Sequence, residues 1–449
     1  MSGNKEPAMM DRQVVLKSAQ TANVRYVRLQ FADLMGSLKN VEVPVHELEK
    51  VIAGEVVFDG SALDGFARFE ESDMLLRPDL STWLVFPWST PEGRVARLIC
   101  DVYLPDGRPF AGDPRGILKR SIKRMQSLGF DGLNVGLEVE FFLLRLDKSG
   151  HPVLVPNDQG GYFDISPLDT GENCRRDIAI ALDSIGIPVE ASHHEVARGQ
   201  HEIDIEDTDA LTAADNLMTM RMLIKTIARD HGLHATFMPK PFADLDGSGL
   251  HVHQALFKNG CNAFMDPSSR FQLSVTAGQY IAGLLHHAQA LTAITNPLVN
   301  SYKRIVQGYD APIYSAWSVR DTNAYVRVPD VRGDSTRVEL RAADSACNPY
   351  LAFAAMLEAG LDGITRQRIL PDPVHHNLFG ISEVERFQMG VSSLPSTLLQ
   401  ALTALEEDDV VQGALGEHAC DLFERAKWQE WHAYQSTVHR WEHEHYLDL

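Results

Sequence analysis

The 449-residue sequence has no run of eighteen apolar residues, so it offers no helix able to cross a bilayer. Basic charge is scarce: 41 Lys and Arg stand against 61 Asp and Glu, a formal net charge of −20. Such a chain repels nucleic acid and anionic membrane surfaces, and neither is expected as a partner. Cysteines are few and scattered: Cys100, Cys174, Cys261, Cys347 and Cys420 include no CxxC pair. That excludes a disulfide framework and a cysteine zinc site, and reduced thiols point to a cytoplasmic protein. The opening MSGNKEPAMMDR lacks the apolar stretch of a signal peptide. There is no internal repeat, no low-complexity segment, no Walker A loop and no kinase glycine loop.

What remains is an ordinary globular composition, 44% apolar and 23% charged, long enough for two domains. The proline- and glycine-rich stretch YLPDGRPFAGDPRG marks a boundary between residues 12–110 and 114–449. The first part predicts short strands (NVRYVRLQFAD, TWLVFPW, VARLICDVYL) and one helix over VPVHELEKVIAG, ended by Gly54. The second predicts a helix at GILKRSIKRMQSLGF and a strand at GLNVGLEVEFFLLRL. One long helix is expected from the serines at 268–269 to Pro297. Another follows Asn348, a good N-cap, with Pro349 at its first position. The last hundred residues predict mostly helix.

Polar groups recur at spacing two, which puts them on one face of a strand. EVE aligns Glu138 and Glu140; HVH aligns His251 and His253; RVELR aligns Arg337, Glu339 and Arg341; HEIDI aligns Glu202 and Asp204. SHHEV adds Glu195. Half-exposed strands also alternate in this way. Here, however, EVE runs on into FFLL, and DGSG, with Gly247 and Gly249, precedes the histidines as close backbone approach requires. Clustered carboxylates with imidazole are hard ligands that suit Mg²⁺ or Mn²⁺. Neighbouring arginines suit a phosphate held between metal and guanidinium. GYDAP, with Gly308, Tyr309, Asp310 and Pro312, reads as a loop of the lid type.

Taken in order, FDGSALDGFARFEESDMLLRPD, GLEVEFF, HHEVARGQHEIDI, MPKPFADLDGSGLHVH, SYKRIVQGYDAPIYSAW, RVELRAADSACNPYLAFAAMLEAGLDGI and LGEHACDLFERAKWQEW resemble type I glutamine synthetase over residues 12 to about 445. The resemblance is to the short subtype of Firmicutes and archaea, without the adenylylation insert. It implies an α+β fold: a small β-grasp domain, then a catalytic domain with a curved antiparallel sheet and flanking helices. It also implies a homo-dodecamer of two stacked hexamers, with active sites between subunits. The activity implied is ATP-dependent ligation of ammonium to the γ-carboxylate of glutamate through γ-glutamyl phosphate, with two or three Mg²⁺ or Mn²⁺ per site. By motif match, Glu140, Glu195 and Glu202 would hold one metal, and Glu138, His251 and Glu339 another. Arg304 and Arg341 match glutamate-binding arginines, beside Asp246 and Gly247. His253, Arg327 and Arg337 match groups around the ATP phosphates, and Glu190 a nucleotide contact. Asp59, from a neighbouring subunit, matches the ammonium-binding carboxylate, with Tyr162 near that pocket. Asp310 is the lid carboxylate, and Arg68 matches an arginine of feedback control in some members.

Five positions depart from the family pattern, all at the substrate site: Ala62 for Ser, Asp246 for Asn, Ala255 for Ser, Asp310 for Glu, and Thr322 for Arg. The last removes a cation from the phosphoryl-transfer site. These departures leave open a γ-glutamyl ligase for another amine, of polyamine or ethanolamine type, or a catalytically weak regulatory paralogue.

Overall fold

The computed structural model describes residues 11–61, 73–90, 93–375 and 378–449. The first helix, α1 (Arg12–Thr21), is capped by Asp11, whose carboxylate accepts from Val14 N at 2.9 Å. The expectation of a single helix before residue 110 misses it. Only Val15 and Ala19 of α1 are buried, too thin a stripe to show a helical period. Next come β1 (Val24–Ala32), β2 (Leu38–Pro44), α2 (Leu48–Ile52), β3 (Val56–Asp59), β4 (Asp73–Thr90) and β5 (Gly93–Tyr103). The helix expected over 43–54 shrinks to α2: Pro44 still belongs to β2, and Gly54, at φ +72°, stops the chain. The strands form one sheet in the order β2-β1-β5-β4-β3, in which β1 and β5 run parallel. This is the β-grasp sheet, and Val27, Leu29, Leu76 and Leu98 fill its core.

The second sheet is built after α3 (Pro114–Ser127). In chain order its surroundings are β6 (Gly132–Leu146), β7 (Pro152–Pro156), α4 (Glu172–Ser184), β8 (Val189–His194), β9 (Gln200–Asp209), α5 (Ala210–Asp230), β10 (Leu233–Thr236), β11 (Leu250–Lys258), β12 (Cys261–Asn262), α6 (Val275–His286), α7 (Ala288–Thr295), β13 (Tyr314–Ser315), β14 (Trp317–Ser318), β15 (Val326–Arg327), β16 (Val338–Leu340) and α8 (Pro349–Thr365). The strand order is β14-β15-β16-β11-β6-β9-β8, antiparallel except between β14 and β15. Short helices close the chain: α9 (Glu383–Gln388), α10 (Leu398–Glu406), α11 (Asp409–Leu415), α12 (Glu417–Gln435) and α13 (Arg440–Tyr446).

The single helix expected from 268 to 296 is two helices. Ser274, not an earlier serine, caps α6 by accepting from Ala277 N at 3.1 Å. The run breaks at His287, whose ring is pinned between Asp362 (3.1 Å) and Asp408 (2.6 Å). The backbones of α6 and α8 touch. A Cβ on Gly283 would lie 2.2 Å from Ala359 O, and one on Gly363 2.1 Å from Gln279 O.

Two devices tie the sheets together. Arg115, buried at the start of α3, reaches Asp79 and Asp101 of the first sheet (2.8 Å each) and Asp215 of α5 (2.9 Å). Asn348, the cap of α8, donates to Asp33 O and Leu34 O, each at 3.2 Å.

Candidate active site

Register places the chemistry. His251 of β11 faces Glu138 of β6, which faces Asp204 of β9. One step along, Glu140 faces Glu202, which faces His193 of β8. On the other side, Glu339 of β16 sits between His253 and Arg327. The spacing-two pattern thus becomes a cup of carboxylates on one face of the sheet, with Glu195 just beyond the end of β8.

Glu138 is the centre. Its two oxygens take His251 Nδ1 at 2.6 Å and His253 Nε2 at 2.7 Å. Burial alone would push this carboxyl up, but the two imidazoles hold it far below the usual range. Glu339, fully buried, is clamped by Arg327 Nη1 at 3.0 Å and by Arg341 Nη1. It too is held low against burial, chiefly by the Arg341 charge. Glu140 accepts from Gln200 Nε2 (2.8 Å) and Gly249 N (2.9 Å).

Glu195 and Glu202 have no guanidinium partner among the described residues, and Glu195 accepts only from Val196 N, at 2.9 Å. Their neighbour is His193, with Nδ1 3.5 Å from Glu195 and Nε2 3.1 Å from Glu202. Burial and the Glu140 charge push Glu195 up to about 8 and Glu202 up to about 11. Burial and the Glu138 charge push Asp204 up to about 7, and its Oδ1 is buried with no hydrogen-bond partner among the described residues. The ligand atoms of three overlapping sets lie within 4.8 Å of one another: Glu138, His253, Glu339; Glu138, Glu202, His251; and His193, Glu195, Glu202. A divalent cation relieves this repulsion, and the donors, carboxylate oxygens with imidazoles, fit Mg²⁺ or Mn²⁺.

The walls carry the arginines. Arg337 Nε donates to His253 Nδ1 at 3.2 Å. With Glu190, Glu138 and Asp204 these two residues line a cavity of about 150 Å³. Arg304 is 1% exposed and gives Nη1 to Ala342 O (2.9 Å) and Ala343 O (3.1 Å), while its Nε and Nη2 have no partner among the described residues. Gly249 makes its room: a Cβ there would lie 2.5 Å from Arg304 Nη2. At Gly247 a Cβ would lie 2.2 Å from Pro239 O. Arg341 Nε donates to the Thr322 carbonyl at 2.7 Å, so Thr322 contributes main chain and not charge to this wall. Ala255 is buried on β11.

The lid is docked. Asp310 N donates to Asp246 Oδ1 at 3.1 Å, Tyr309 OH donates to Ala243 O at 2.7 Å, and Lys240 Nζ lies 3.2 Å from the Tyr309 ring centroid. Tyr162, half-exposed, stacks on Phe163 and meets the His193 ring in a T-shaped contact with centroids 5.6 Å apart. Asp59 is not brought to the cup. It lies exposed on β3, an edge strand of the first sheet, with Ser61 N (2.9 Å) and Oγ (2.6 Å) on its carboxylate. Ala62 and Arg68 fall outside the described residues. Two residues of the cup went unnamed in the sequence reading, His193 and Gln200. Each stands two positions from a glutamate already singled out, so the same alternation carried the signal.

Comparison with known proteins agrees across the chain. Residues 111–446 match the profile described as glutamine synthetase, catalytic domain, and residues 23–105 the profile described as glutamine synthetase, beta-Grasp domain. A curated relative named glutamine synthetase, from Staphylococcus aureus (strain MW2), is 54% identical over 433 residues, 96% of this chain and 97% of its own. Among solved structures, GmaS in complex with ADP superposes with a TM-score of 0.88 at 34% identity, covering 98% of this chain and all of the other. The cryo-EM structure of Plasmodium falciparum glutamine synthetase gives 0.85 at 26% identity, covering 96% and 97%.

Proposed function

This chain belongs to the glutamine synthetase family, and we propose that its carboxylate cup performs that family's ligation, joining ammonia to the γ-carboxylate of glutamate with ATP as the energy source. The observation that carries the reading is the meeting in one cup of crowded carboxylates pushed up by burial, Glu195 and Glu202, with guanidinium-clamped ones, Glu339 above all. The first kind seeks divalent cations; the second marks where anions lie beside arginine. Glu140, Glu195 and Glu202 would hold one Mg²⁺ or Mn²⁺, and Glu138, His251 and Glu339 another, two or three ions per site. When bound, they supply positive charge that polarises phosphoryl oxygens.

The protein's own groups do the rest. Arg337, His253 and Glu190 line the small cavity that suits the nucleotide phosphates, and Arg327 reaches the same floor through Glu339. The complex of GmaS with ADP supports a nucleotide here. Arg304, with two buried donors to spare, and Arg341 suit the carboxylates of glutamate, with Gly247 and Asp246 shaping the approach. Fixed guanidiniums stabilise the charge that develops as the γ-carboxylate attacks the γ-phosphate and the bond to ADP breaks, giving γ-glutamyl phosphate and ADP, after which ammonia displaces inorganic phosphate from the acyl carbon. Asp310 closes over the acyl phosphate and keeps water from it. Asp59 of a neighbouring subunit would accept the ammonium proton beside Tyr162, which requires assembly; a cytoplasmic dodecamer of two stacked hexamers satisfies this. Among the described residues no helix is long and apolar enough to cross a membrane.

The test is phosphate release from ATP, Mg²⁺ and glutamate with a panel of amines. Ammonium is expected to support release. Release only with ethanolamine or a polyamine overturns the choice of amine, and silence throughout, with nucleotide still bound, overturns the catalytic reading.

A further inference from the structure

A second cavity, larger than the one lined by Arg337 and His253, lies between the two sheets. Its volume is about 680 Å³, of the size that holds a small metabolite. One wall is the turn after β1, with Met35, and the start of β2, with Lys39; the other is α5 and the end of β10. Among the described residues that line it there is no carboxylate, yet it carries three cations, Lys39, Arg221 and Lys225.

Donors on these walls lack good acceptors. Arg221 gives Nη2 to Cys347 O at 2.9 Å, but its Nε is buried without a hydrogen-bond partner among the described residues. Gln30, 2% exposed, directs its amide at the Met222 sulfur, 3.7 Å away, a weak acceptor. Lys225 Nζ and Arg221 Cζ lie 5.6 and 5.9 Å from the centroid of the Phe237 ring. No carboxylate among the described residues comes within ion-pair distance of Lys225. Lys39 has Asp33 at 3.3 Å, itself buried beneath the turn. Much of the apolar lining is thioether, from Met35, Met218, Met222 and Met238. Methionine adapts to irregular apolar shapes.

From this donor-rich, acceptor-poor, methionine-floored chamber we infer a second ligand site, separate from the cup, for a small organic anion with a carboxylate or phosphate head and an apolar body. The head would take Arg221 Nε, the Gln30 amide and Lys225; the body would lie on the methionines. Partial desolvation along its stem and the Arg221 charge push Lys225 down, and an arriving anion offsets both.

Calorimetric titration of the full-length protein with inorganic phosphate, propylphosphonate and glutarate tests this. At least one probe is expected to bind saturably at one site per chain. Lys225→Met, an exposed position that leaves the fold intact, is expected to weaken that binding tenfold or more. Arg337→Met, in the cup, is expected to leave it unchanged. Glutarate ahead of propylphosphonate identifies a carboxylate ligand, the reverse a phosphate; propylphosphonate ahead of inorganic phosphate shows the methionine floor in use. No saturable binding at millimolar concentration overturns the inference. So does binding that Arg337→Met abolishes and Lys225→Met spares, since that places the anion in the cup.

Discussion

The crowding of Glu140, Glu195 and Glu202 makes a prediction of unusual sign: removing a charge from the active site should stabilise the metal-free protein. Glu195 is pushed from an ordinary 4.5 up to about 8, by burial first and then by Glu140. The folded state therefore keeps a proton that the unfolded chain gives up. This contribution to stability is complete below about pH 4.5 and is lost as pH rises through about 8. At about 1.36 kcal/mol per pH unit, the full swing is roughly 5 kcal/mol. Glu195→Gln keeps the shape and the backbone contact to Val196 but has nothing to titrate. Urea midpoints of EDTA-treated protein should fall steadily between pH 5 and 8 for the wild type and less steeply for the variant, in which Glu202 and Asp204 still titrate. At pH 8 the variant should be the more stable, by on the order of 3 kcal/mol. Adding Mg²⁺ should reverse the order, because the ion neutralises the wild-type cluster and has lost a ligand in the variant. A wild-type midpoint that does not fall over this range, or a variant no more stable at pH 8, refutes the account of the cup as a cation seat held open by repulsion.

Thr322→Arg places a guanidinium on the wall where only a carbonyl now meets Arg341; phosphate release should rise by about 10² if the missing cation limits phosphoryl transfer, and an unchanged rate refutes that limitation. Glu339→Gln leaves Arg327 and Arg341 without their buried counter-charge, and urea unfolding should show a loss of about 3–5 kcal/mol together with loss of activity. Asn348→Ala removes the cap of α8 and its two bonds to the first sheet; the expected cost, read from urea unfolding, is roughly 2 kcal/mol.

The cup was legible because strand alternation is local. Glu138, Glu140, Glu202, His251, His253 and Glu339 needed only the period of two, and His193 and Gln200 obey the same rule. Which carboxylates would be supported and which left bare was not legible. That depends on who stands across the strand pair, as Glu339 between His253 and Arg327 shows. The helix break at His287 was hidden for the same reason: the apolar pattern runs on through it, while the cause lies at Asp362 and Asp408, far along the chain. The α1 helix escaped because it buries too little to leave a pattern. The methionine chamber was invisible, since its cations come from β2 and α5, which no motif joins.

The cup's registry also decides which length changes the gene can tolerate. Deleting Leu250, the one residue of β11 ahead of His251, would turn both imidazoles to the opposite face of the sheet and put Val252 and Gln254 where His251 and His253 now stand. An insertion of several residues between β6 and β7, by contrast, changes no phase at all. Evolution of this chain by insertion and deletion is therefore confined to its turns, and the four strands β6, β9, β11 and β16 behave as a frame-locked text in which only substitutions can be written.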